Sequence, residues 1–198
     1  MIADRIADQV GTAVLTFNFR GTGQSGGDFS LGGWCTDLQA AVAMMRNEHG
    51  AQEVWLAGFG TGASVALHLA GTDPSISGVV SFSARAHFDD WADNGEALLQ
   101  HCRALGLIHS DGFPVDEAAW IEEFRTVRPV DVIGEIAPRP LMIVHGADDE
   151  RVPPTDAREL AAAAGAHVDL RMIIGAGHRL RHDPRIVALL LGWLSARR

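Results

Sequence analysis

The residues able to move protons or attack a carbonyl gather in short segments, each placed just after an apolar run. Residues 145–153 read His-Gly-Ala-Asp-Asp-Glu-Arg-Val-Pro, and residues 175–178 read Gly-Ala-Gly-His. An aspartate and a histidine on turns after strands are suited to be an acid and a base. The carboxylate of Asp149 would hold His178 in one tautomer and stabilise its charged form, leaving the other ring nitrogen to take a proton. Asp148 competes for the acid's role, its other reading being a turn residue. Residues 58–62, Gly-Phe-Gly-Thr-Gly, have the frame of the G-x-S-x-G elbow that presents a nucleophilic serine. Gly60 stands where that serine belongs. Glycine has no oxygen to attack with, so no acyl-enzyme forms at this position. Ser83, at the end of a strand, and Ser64, in the helix after the elbow, are poor substitutes, because serines in such places commonly bond nearby backbone.

Other chemistries fit less well. Gly21, Gly23 and Gly26, and again Gly58, Gly60 and Ala63, satisfy the spacing of a dinucleotide-binding turn. The strand after the second cluster ends Ser81-Phe82-Ser83-Ala84-Arg85 and offers no ribose-binding acid. A nicotinamide cofactor would therefore be the phosphorylated form, with Arg85 on its 2'-phosphate, as in an NADP-dependent reductase. Glycines that simply permit a sharp turn are the plainer reading, and no cofactor is expected. His178 and His182 are four residues apart, yet no third ligand accompanies them, so no metal is expected either. His145 is expected to pack beneath its turn, and the five tryptophans to serve packing.

The elements that must hold these residues alternate. Ile2, Ile6 and Val10 have helical spacing, Gly11 stops the run, and the β-branched and aromatic residues 12–19 read as a strand. A glycine-rich turn over residues 20–27 precedes a helix at residues 37–48 that ends at Gly50. Strands follow at residues 54–57, 76–82, 141–144 and 168–174, with helices at 63–70, 156–164 and 184–196. This is the rhythm of an α/β protein, a mostly parallel sheet with helices on both faces. Residues 85–138 interrupt it with two amphipathic helices, at 90–105 and 115–124, and read as a small helical cap inserted into one domain of residues 1–198.

Composition sets outer limits. The chain of 198 residues is 47% hydrophobic with 25 acidic and 16 basic residues, for a net charge of -9. All the basic residues are arginine, and none forms a stripe able to neutralise phosphates, so nucleic acid and anionic membranes are not expected as partners. Cys35 and Cys102 lack metal-site spacing and suit reduced thiols. No apolar run is long enough to span a bilayer, and a cytoplasmic location is expected.

The motifs together resemble the α/β-hydrolase superfamily over nearly the whole chain. Asn18-Phe19-Arg20-Gly21-Thr22-Gly23-Gln24-Ser25 is similar to that superfamily's F-R-G-x-G-x-S loop, followed in order by the elbow, the Asp149 motif and His178. The likeness is greatest to the serine aminopeptidase and dienelactone hydrolase-like esterase branches. It implies Asp149 and His178 as catalytic acid and base, Thr61 as a backbone donor to an oxyanion, and an ester or amide as substrate. It also implies a chain short at its N-terminus, begun at an internal start at Met1. The superfamily's first three strands, and the loop carrying the second oxyanion donor, have no counterpart here. The expected function is a hydrolase relative with at most weak, water-mediated turnover, or else a non-catalytic small-molecule-binding protein.

Overall fold

The computed structural model describes residues 2–197; Met1, and with it the expectation of an internal start, lies outside them. Helix α1 (Ile2–Val10) buries Ile6 and Val10, one turn apart. Helix α2 (Leu31–Asn47) starts well before the expected residue 37. Gly32 and Gly33 are weak helix formers, but two side chains satisfy their amides. The Ser30 Oγ accepts from Gly33 N at 3.0 Å, and Glu123 Oε2 from Gly32 N at 2.9 Å.

Strand β1 (Trp55–Phe59), helix α3 (Thr61–Thr72) and strand β2 (Gly78–Phe82) then form a crossover unit of the kind parallel strands require. Four short helices follow: α4 (Asp89–Asp93), α5 (Gly95–Ala104), α6 (Glu117–Thr126) and α7 (Pro129–Val132). The single helix expected at 90–105 is broken at Asn94, whose backbone leaves helical geometry and whose side-chain amide donates to Asp90 O at 2.8 Å. Strand β3 (Leu141–Gly146), helix α8 (Pro154–Ala164), strand β4 (Val168–Ile173) and helix α9 (Pro184–Ser195) complete the chain.

The sheet has four parallel strands in the order β1-β2-β3-β4. Alternate residues feed opposite faces. Val79, Leu141 and Ile143 join the core beneath α2, α3 and α8, while Val80, Phe82, Met142 and Val144 join a second core with α1 and α9. The parallel α/β architecture with helices on both faces is thus present.

The strand expected at residues 12–19 is not. Residues 12–17 make no backbone hydrogen bond to other backbone among the described residues, and Val14 and Phe17 are exposed. Strand propensity reflects how side chains pack on a paired, half-buried surface. Among the described residues the sheet ends at β1, so residues 12–17 have no ladder in which to express that propensity.

Residues 85–138 dock on the loop before α2. Asp28 Oδ1 accepts from His109 N at 2.6 Å, Phe29 N donates to Leu107 O at 2.8 Å, and Trp120 Nε1 donates to Phe29 O at 3.0 Å. Phe29 also meets the rings of Trp34, Trp120 and Phe124, so these tryptophans pack.

Candidate active site

The elbow forms where β1 runs into α3. Gly60 has φ +56° and ψ -129°, its N–H donates to Phe82 O at 2.8 Å, and its carbonyl accepts from Ala63 N at 2.9 Å. Only glycine takes this backbone without strain. Gly58 is glycine for another reason: a Cβ there would lie 2.6 Å from Ala63 Cα and from Gly62 O, closing the space between strand and helix. At Gly60 the space is open. A Cβ would lie 3.7 Å from His178 Nε2 and 3.9 Å from its Cε1, which is ordinary contact. Thr61 opens α3, so its N–H is among those a helix leaves without an internal acceptor.

Asp149 lies in the turn after β3, and His178 in the turn after β4. Strand pairing brings the two turns together, and glycine lets them close. A Cβ on Gly146 would lie 2.3 Å from Ala176 O and 2.6 Å from Gly177 O, and Asp148 N donates to Ala176 O at 3.0 Å. The Asp149 side chain is fully buried, with Oδ1 accepting from Val152 N at 2.9 Å and Arg151 N at 3.0 Å. Oδ2 lies 3.0 Å from His178 Nδ1, which fixes the Nδ1–H tautomer and turns Nε2 towards the elbow. Burial alone would push the Asp149 carboxyl up. The amides of Val152 and Arg151, with His178 and Ser83, outweigh it and hold the carboxyl below the usual carboxylate range. Asp148 is exposed and has its place in the turn.

The remaining candidates fall into packing or support. Ser64 Oγ donates to Arg85 O at 3.1 Å and accepts from Arg85 N at 2.9 Å, so it ties α3 to the end of β2. Arg85 itself pairs with Asp90 at 2.9 Å and stacks over Trp91, and its guanidinium is committed to α4. His145 is wholly buried, with Nε2 3.0 Å from Val152 O. Ser83 is buried and turns its hydroxyl to the carbonyl of His178. Burial raises the thiols of Cys35 and Cys102 to about 11, so both are unreactive. No group of three or more His, Cys, Asp or Glu gathers for a metal among the described residues, and His182 sits beside Arg181. No helix among them is long and apolar enough to cross a membrane. Two supports escaped sequence reasoning. Glu150 Oε2 accepts from His178 N at 3.2 Å, and Ser83 has a positive φ; neither leaves a trace in residue spacing.

A parallel sheet whose turns carry an elbow, an acid and a histidine to one edge defines an α/β-hydrolase architecture. The chain belongs to the α/β-hydrolase superfamily: the family model for serine aminopeptidases, S33, matches residues 2–104, and that for the prolyl oligopeptidase family matches residues 97–197. An uncharacterized protein of Mycobacterium tuberculosis strain H37Rv, Rv2307c, is 25% identical over 180 residues, which are 90% of this chain and 56% of that protein. The chain therefore spans about half the length of the curated relatives it matches. Among solved structures, alpha/beta hydrolase domain-containing protein 10 from mouse is similar with a TM-score of 0.70 at 19% identity, covering 99% of this chain and 81% of that one. The Pyrococcus furiosus esterase Pf2001 gives a TM-score of 0.70 at 20% identity, covering 99% and 74%. At such identities the likeness speaks for the fold.

Proposed function

We propose that this protein is a relative of serine ester and amide hydrolases that keeps the acid and base, lacks the nucleophile, and hydrolyses small esters or amides slowly through water. The observation that carries this reading is the open space at Gly60, where a Cβ would stand 3.7 Å from His178 Nε2. A water there lies within reach of the base. As its oxygen attacks the substrate carbonyl, its proton passes to Nε2, and the imidazolium is stabilised by Asp149 at 3.0 Å. Collapse of the tetrahedral adduct breaks the bond to the leaving group, which takes that proton from Nε2. The Thr61 N–H is the donor available to the developing oxyanion. Without an attacking side chain the reaction stays slow, since a complete triad contributes about 10⁶ in rate. The reading places residues 85–138 as the lid over the substrate.

The test is the turnover of short-chain p-nitrophenyl esters by this chain and by its Gly60→Ser variant, once both are shown to be folded. A serine Oγ built on that Cβ comes within hydrogen-bond reach of Nε2, about 2.6–3.2 Å. The expected gain is large, up to the roughly 10⁶-fold that a complete triad contributes. Equal rates in the two proteins would overturn the assignment of the elbow. Tight binding of an ester with no turnover in the parent chain would instead favour a non-catalytic binding protein.

A further inference from the structure

Strand β3 is apolar from Leu141 to Val144, and His145 then places an imidazole wholly inside the protein. Packing alone would be served as well by phenylalanine, which has no N–H to offer. Nδ1 has no hydrogen-bond partner among the described residues, so the polar contacts of the ring run through Nε2. That nitrogen lies 3.0 Å from Val152 O and 3.4 Å from Asp149 Oδ2. A carbonyl and an ionised carboxylate can only accept, so Nε2 is the nitrogen that carries the proton. Val152 O takes the hydrogen bond, and the carboxylate lies beside the same N–H.

The other face of Val152 serves the acid directly. Its N–H donates to Asp149 Oδ1 at 2.9 Å, beside Arg151 N at 3.0 Å. The turn from Asp149 to Val152 therefore closes on the carboxylate with its amides and is tied back to β3 by its last carbonyl. Oδ2 is left to His178 Nδ1, at 3.0 Å. We propose that His145 is a positioning residue for Asp149: its Nε2–H anchors the Val152 carbonyl and so holds the turn whose amides aim the carboxylate at His178. The proposal rests on the reading of Asp149 and His178 as acid and base. It gives His145 no proton-transfer step, since the side-chain atoms facing position 60 are those of the His178 ring.

The first measurement uses the unaltered chain. NMR of the ¹⁵N-labelled histidine rings is expected to show His145 protonated at Nε2, with that proton shielded from exchange with water. A bare Nε2 would overturn the proposal, because no bond to Val152 O could then exist.

Two kinds of variant then separate anchoring from packing. His145→Phe keeps a ring and removes the N–H, whereas His145→Gln returns an N–H to the place of Nε2 on a differently shaped side chain. His145→Asn, whose amide stops short of that place, is the second donor-free variant should the first not fold. Without the donor, the Nδ1–H tautomer of His178 is expected to lose population, and its proton to exchange about three- to tenfold faster, the factor carried by one net hydrogen bond. His145→Gln is expected to restore most of both. A His178 ring unchanged in the donor-free variants, or disturbed equally in His145→Gln, would overturn the proposal and leave His145 a packing residue. The underlying pair is tested apart, in Asp149→Asn with His145 intact. If the His178 tautomer there matches the parent's, the acid-base pair itself fails, and the role of His145 falls with it. If it shifts there but not in the donor-free variants, the pair stands and only the proposal falls.

Discussion

At the scale of single residues, the candidate site is held together at Asp149 and open at Gly60. Gly60 is unstrained only because it lacks a side chain at φ +56°. Both Gly60→Ser and Gly60→Ala are therefore expected to destabilise the fold by about 1–3 kcal/mol, since each forces a side chain onto that backbone. Only serine should raise turnover, so urea denaturation and ester assays on the pair separate strain from chemistry. Asp149 makes a second prediction. Its carboxyl lies below the ordinary carboxylate range in the fold, so it stabilises the protein above the unfolded value of about 3.9. That contribution is lost as pH falls through the folded value. Urea unfolding at neutral and acid pH should accordingly show a smaller acid loss of stability in Asp149→Asn than in the parent. An equal loss would mean the carboxylate gains nothing from its three hydrogen-bond partners.

At the scale of elements, caps and close approaches decide where helices start and pack. Ser30 caps α2 through Gly33 N, and Ser30→Ala should lower stability by about 1 kcal/mol in a chemical melt. A Cβ at Gly71 would lie 2.5 Å from Val132 O, where α3 crosses α7, so Gly71→Ala should destabilise by about 1–3 kcal/mol through overpacking. The apolar runs of β2 and β3 and the spacing of Ile186, Leu190 and Trp193 were legible in the sequence, because burial on both faces or along one stripe leaves a periodic signature. The start of α2 was not, since the amide of Gly32 is satisfied by Glu123, far along the chain. Asp149 and His178 could be picked out because each belongs to a local turn motif. Ser83 and Glu150 touch His178 because the sheet brings distant turns together, and no local pattern records that.

For the whole molecule, the open side of β1 is the largest departure from what the sequence suggests. Residues 12–17 carry strand-forming side chains yet stay outside the ladder among the described residues. Amide hydrogen exchange should find these residues unprotected and those of β2 and β3 slowest, because only the latter have a neighbour on both sides. Protection of residues 12–17 equal to that of β3 would show a pairing partner in solution, a second copy being the simplest source.

The interlock of the turns at Gly146 and Ala176 has a wider meaning. The acid and base are gripped by neighbouring backbones at the far end of the sheet from β1, and position 60 supplies none of that grip. Nothing in this arrangement obliges the rest of the site to follow when position 60 changes. On the proposed reading, Asp149 and His178 hold their places with or without an attacking oxygen at position 60, and a change at that single position tests whether they still serve one.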